Sequence, residues 1–137
     1  KRIRFLPIEF DHMDAARIDP EFHTAFWSPC ANGGPEMTIR IRDTVREAIK
    51  TGDWSTAQRV WAAAAPVIGH LMPPGGFPEF SRYNIQLDKA RINASGWMKA
   101  GPCRPPYQQA PQHYLDGAVK AGKGWAELCA KVRAGEL

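Results

Sequence analysis

The chain has 137 residues, 44% hydrophobic and 23% charged, with a formal net charge of +4. That is enough for one modest core and too apolar for a disordered chain. The basic residues from Arg40 to Lys120 are spread over several segments and interleaved with acids, which argues against nucleic-acid binding and for a solubility charge.

No apolar run approaches the ~18 residues of a membrane span. The opening Lys1–Arg2–Ile3–Arg4 is not followed by the apolar stretch of a signal peptide. Cys30, Cys103 and Cys129 lie far apart without a CxxC pair. The odd count argues against a disulfide framework and places the chain in reducing cytoplasm. Cys30 reads either as a reactive thiol or as a small buried residue, and the buried reading is preferred. His12, His23, His70 and His113 lack metal-ligand spacing, so no metal is expected.

In chain order, Arg4–Phe10 reads as a short strand, weakened by Pro7. Asp11–Ile18 follows as a loop and a helical turn or two, capped by Asp11 or Asp14. After the Asp19–Pro20 turn comes a second strand, Thr24–Ser28. Pro29 should stop it, because proline cannot donate to a ladder. Asn32, Gly33 and Gly34 form a turn, and Pro35 sits where a helix begins. Two strands joined by a short helical connection suggest a parallel βαβ unit.

Helices follow. Pro35–Lys50 carries Met37, Ile41, Val45, Ala48 and Ile49 in one apolar stripe and stops at Thr51–Gly52. Asp53 or Ser55 caps a second helix reaching about Leu71, with Val60, Trp61, Ala64 and Ile68 inward and a kink at Pro66. A third spans Phe80–Met98, with Tyr83, Leu87, Ala90 and Ala94 on one side. Gly101–Tyr107 is a proline-stiffened loop. The last helical region, Pro111–Ala134, should be interrupted at Gly122–Lys123–Gly124. Trp54, Trp61, Trp97 and Trp125 fall at helical positions and read as packing residues.

Two parallel strands with four helices do not close a sheet, because parallel pairs need further strands and cover on both faces. The remaining strands are therefore expected upstream of Lys1 or on another chain. The order of strand, Asp11, short helix, strand, Ser28, Ala31–Asn32, Pro35 and helix, then Gly52–Asp53, Tyr83–Asn84 and Arg104–Pro105–Pro106, resembles the end of the dihydrodipicolinate synthase and N-acetylneuraminate lyase family of class I aldolases. Phe26–Trp27–Ser28, Arg82–Tyr83–Asn84, and Gly96–Pro102 with Arg104–Tyr107 look most like the hydratase-aldolases of aromatic catabolism.

The resemblance implies an α/β fold: the C-terminal portion of a (β/α)8 TIM barrel, strands 7 and 8, plus a C-terminal helical extension. Residues 1–52 would be the last two β/α units and 53–137 the extension. It implies an enzyme that cleaves benzylidenepyruvates to an aromatic aldehyde and pyruvate through a Schiff base, with no cofactor and as a homotetramer. The lysine and a proton-shuttling tyrosine would lie upstream of this chain. Trp27, at the end of strand 8, would line the substrate site. Asn84 would reach over the barrel mouth to orient the added water or hold the substrate oxygen. Ser81 would touch the aryl substituent, unless it caps the helix. Glu9 and Asp11 end strand 7 where sialic-acid lyases bind sugar hydroxyls, but Phe10 and His12 beside them depart from that pattern. His12 as a general base is a weaker candidate. Two alternatives remain: another pyruvate-dependent aldolase or synthase of the same family, and a non-enzymatic helical binding module.

Overall fold

The computed structural model describes residues 6–21 and 25–137. Five helices form it: α1 (His12–Ile18), α2 (Pro35–Thr51), α3 (Ser55–Gly69), α4 (Gly76–Ser95) and α5 (Gln112–Arg133). Single 3-10 turns, Glu9–Asp11 and Ala31–Gly33, precede α1 and α2.

The parallel pairing expected near the start is reduced to one bridge between Ile8 and Trp27. Glu9 N–H donates to the Trp27 carbonyl and Trp27 N–H to the Pro7 carbonyl, both at 2.9 Å. The orientation is parallel, but among the described residues no strand extends from it. Pro7 has no N–H to give, and the chain turns at once when Asp11 N–H bonds to the Ile8 carbonyl at 3.0 Å. Arg4, Phe5 and Thr24, the outer parts of the two expected strands, lie outside the described residues. Asp11 occupies the N-cap position of α1 without a side-chain capping bond.

The helices carry the core. Met37, Ile41, Val45 and Ala48 of α2 are buried as their spacing requires, whereas Ile49 is 37% exposed at the stripe's edge. Gly52 ends α2 in the left-handed conformation, φ 80°. Asp53 caps α3 by accepting the Ser55 N–H at 2.9 Å. Helix α3 continues through Pro66. Val60, Ala64 and Ile68 then meet Met37, Ile41, Trp125, Leu128 and Cys129 in the central cluster.

Helix α4 starts and ends earlier than its apolar pattern suggests. Glu79 reaches back to accept the Gly75 N–H at 3.0 Å, and Pro78 sits within the first turn, where a missing donor costs little. Gly96, φ 73°, terminates the helix after Ser95. Trp97 is therefore outside the helix and 54% exposed, not a packing residue, while Trp125 is 1% exposed.

Helix α5 is uninterrupted across Gly122–Lys123–Gly124. These glycines mark close approach. A Cβ at Gly122 would lie 2.2 Å from the Arg91 carbonyl oxygen and 3.0 Å from the Ala94 Cβ. The α4–α5 contact, the most extensive in the fold, depends on that missing side chain.

Two glycine-to-alanine changes should act with opposite signs. Gly122→Ala forces a methyl into backbone and should destabilise by about 1–3 kcal/mol or more, despite alanine's better helix propensity. At Gly69 a Cβ meets nothing within 4 Å, so Gly69→Ala should stabilise by up to ~1 kcal/mol. Urea midpoints of the two variants check both signs.

Candidate functional site

The chain from Trp27 to Asn32 lies between the Ile8 bridge, the start of α2 and the C-terminal turns of α4. Trp27 is held by its backbone through the bridge, while its indole is 57% exposed. The next residues are tied down by side chains. Ser28 Oγ accepts the Ala31 N–H at 3.1 Å and lies 3.0 Å from Thr38 Oγ1. Thr38 donates to Glu9 Oε1 at 2.9 Å. With its one hydrogen so used, Thr38 accepts from Ser28. The result is a hydroxyl relay from the turn, through the first turn of α2, to a carboxyl that is 1% exposed.

Arg91 approaches the same segment from α4. Its guanidinium is 3% exposed. Nη2 donates to the Pro29 carbonyl at 2.8 Å and to Asn32 Oδ1 and Asp88 Oδ1 at 3.0 Å each. A guanidinium and a carboxyl thus face one buried junction. Burial raises the pKa of Glu9; the side chains of Ser28, Thr38 and Cys30 and the Arg91 charge pull it down without cancelling the shift. Burial likewise pushes the Cys30 thiol up, and nearby Glu9 adds to that. Cys30 is 3% exposed and is held as a thiol, the inert state.

Of the three residues singled out by the sequence, Trp27 stands where the second strand was expected to end. Asn84 and Ser81 are exposed on α4. Because α4 begins at Gly76, neither is at a helix start, and neither caps it. Ser81 donates to the Pro78 carbonyl at 2.9 Å within its own helix. Asn84 lies seven positions before Arg91, so the two share a helix face about 10 Å apart along the axis. Tyr83 beside it packs edge-on to Tyr114 of α5 at 5.8 Å between ring centroids. Tyr114 also donates to Glu79, which fastens this half of α4 to α5.

His12 begins α1, is 5% exposed and stacks on Phe26 at 4.0 Å, a packing role. Arg91 was not singled out as a site residue by the sequence, and Glu9 only as a weaker strand-end candidate beside Asp11. The available signal was that Arg91 falls in register with Leu87 and Ala94, a charge placed within an apolar stripe. Among the described residues no group of three His, Cys, Asp or Glu side chains could hold a metal ion, and no helix is long and apolar enough to cross a membrane.

No protein-family model matches the chain. It is 54% identical over 129 residues to the trans-o-hydroxybenzylidenepyruvate hydratase-aldolase of Pseudomonas aeruginosa, covering 94% of this chain and 39% of that protein. It is 33% identical over 127 residues to the trans-2'-carboxybenzalpyruvate hydratase-aldolase of Nocardioides sp. (strain KP7), covering 93% of this chain and 37% of that protein. A solved structure described as "PhdJ bound to substrate intermediate" superposes with a TM-score of 0.85 at 39% identity, over 95% of this chain and 39% of that one. The chain therefore spans about 39% of the length of the first of these relatives. The resemblance to the hydratase-aldolases of aromatic catabolism is borne out over more than nine-tenths of this chain.

Glu9 gives a pH signature. Its folded pKa lies above its unfolded value, so its contribution to stability is present at low pH. That contribution is lost as pH rises from the ordinary carboxylate range through the folded pKa. Glu9→Gln keeps an acceptor for Thr38 and cannot ionise. Between about pH 4.5 and pH 8, the native chain should lose unfolding free energy relative to the variant. Paired denaturation curves check this, and parallel pH profiles would contradict it.

Proposed function

From its kinship with the hydratase-aldolases of aromatic catabolism over more than nine-tenths of its length, we propose that this chain is part of a Schiff-base lyase. The lyase hydrates a benzylidenepyruvate and cleaves it to an aromatic aldehyde and pyruvate. The observation that carries the reading is the superposition, at 39% identity, on a structure that holds a substrate intermediate.

In this reading the parallel Ile8–Trp27 bridge is the remnant of strands 7 and 8 of a (β/α)8 barrel. Residues 1–52 supply the barrel's last two units and residues 53–137 a helical extension. A lysine in the polypeptide before Lys1 condenses with the substrate keto carbon, releasing water. The cationic imine withdraws electrons from the conjugated alkene. Water adds to the aryl-bearing carbon, and the neighbouring carbon takes a proton. Loss of the hydroxyl proton then breaks the bond between those carbons. Aldehyde leaves, the enamine is reprotonated, and hydrolysis frees pyruvate and the lysine.

The residues of this chain act on that sequence by position. The Trp27 indole, exposed at the strand end, lies against the planar conjugated ligand and excludes water from one face. The Asn84 amide orients the incoming water or holds the developing hydroxyl. Ser81, one turn earlier on α4, contacts the aryl substituent. The assembly is a homotetramer without cofactor.

The test uses the full-length polypeptide. Borohydride with pyruvate should leave a covalent adduct on a lysine outside these 137 residues. An adduct on Lys89 or Lys99, or none, contradicts the assignment. Asn84→Ala should lower kcat for benzylidenepyruvate by roughly 10²-fold while trapping of pyruvate persists. Trp27→Ala should lower kcat/KM by roughly 10-fold or more. Full activity in either variant removes that residue from the site.

A further inference from the structure

Arg91 is an expensive residue in its place. Removing a guanidinium from water costs several kcal/mol, and a well-packed apolar side chain of similar size is often no less stable. Asp88, its ion-pair partner at 3.0 Å, is 33% exposed and cannot fully offset that cost. Among the described residues, Nε and Nη1 have no hydrogen-bond partner, nor does Oε2 of Glu9. Stability alone does not account for the charge, whereas geometry does.

The guanidinium is where α4 and the turn after Trp27 are joined. On one side it binds the Pro29 carbonyl and the Asn32 side chain, two and five positions beyond Trp27. Trp27 itself is pinned by both backbone groups to Pro7 and Glu9. On the other side Arg91 belongs to the helix that carries Asn84, on nearly the same face. The Arg91 carbonyl rests against Gly122 so closely that a Cβ would lie 2.2 Å away. Helix α4 therefore cannot slide along α5 to take up slack. The polar tie between α4 and the turn after Trp27 is made by this one nitrogen, Nη2, beside the packing of Ser95 against Gly33.

We propose that Arg91 is a positioning residue for the cleavage reaction, setting the placement of the Trp27 indole relative to Asn84. The proposal rests on the function proposed above for those two residues. Lysine keeps the charge but ends one bond short of Nη2, the nitrogen that makes all three contacts, so Arg91→Lys tests geometry apart from charge. Asn32→Ala removes one acceptor from a half-buried turn residue and is the milder change.

Two readouts decide it, both on full-length protein whose far-UV circular dichroism matches the parent. In turnover, Arg91→Lys should lower kcat by ~10-fold or more with KM within ~3-fold, while pyruvate trapping continues, because small misplacements cost reaction rate before binding. Asn32→Ala should show a smaller loss of the same kind. Full kcat in both variants, or kcat and trapping falling together, overturns the proposal. The second readout needs no catalysis: the emission of Trp27, obtained by subtracting the Trp27→Phe spectrum, and its quenching by acrylamide. Arg91→Lys should change that quenching constant by ~2-fold as the indole shifts on its strand end; an unchanged constant overturns the proposal. If the parent protein traps no pyruvate, the proposed reaction fails and the positioning role with it; a parent that traps pyruvate beside an Arg91→Lys variant with full kcat overturns the positioning role alone.

Discussion

A buried hydrogen bond from Trp125 Nε1 to the carbonyl of Gly34 at 2.9 Å, joined there by a weaker one from Cys129 Sγ at 3.5 Å, ties the last helix to the turn that follows Trp27. Burying a tryptophan removes roughly 150–250 Å² from water, or roughly 4–6 kcal/mol as an upper figure. The hydrogen bond contributes about 1 kcal/mol net. Burial therefore supplies the energy and the hydrogen bond supplies the register. That register explains the Gly33–Gly34 pair. At Gly34, φ 136°, a Cβ would sit 2.9 Å from Cys129 Sγ, and at Gly33 it would sit 3.3 Å from the Trp125 ring. The turn can lie against α5 only because both residues lack a side chain.

Once the turn is fixed, what touches it is fixed too. Helix α2 starts one residue beyond it, and Thr38 in its first turns reaches the buried Glu9. Helix α4 reaches it through Arg91. A polar junction thus sits inside an otherwise apolar contact among three helices. Hydroxyls and a guanidinium specify distance and direction as apolar side chains do not. The lower half of α4 is fixed independently, by Tyr114 and Tyr83 against Glu79 and α5.

Much of this was legible in the residues. Met37, Ile41, Val45 and Ala48 gave α2 by their spacing, and Gly52 gave its end to within a residue. Pro29 marked where the chain leaves the Ile8 bridge. Other features depended on partners distant in sequence. Gly122 and Gly124 read as a helix break because their use, contact with α4 and α3, is invisible locally. Gly96 stops α4 before Trp97, although an apolar pattern continues past it. Glu9 looked like a strand-end acid open to ligand and is instead buried against Thr38, 29 positions away. The expected strands shrank to one bridge among the described residues, since Pro7 has no N–H to give and the chain turns at Asp11 directly after Ile8. Trp27 was singled out from its place at the end of a short apolar run. Asn84 was singled out only through the resemblance to aldolases, since an exposed helical asparagine has no signature of its own.

The central claim is that one stretch of chain brings Trp27 and Asn84 to the same catalytic mouth. The most direct measurement is a crystal structure of the full-length protein after borohydride trapping of its pyruvate-derived intermediate. The account predicts the indole of Trp27 and the amide of Asn84 both within contact distance of the trapped adduct, with Arg91 still on the Pro29 carbonyl. An adduct that neither residue approaches would contradict it.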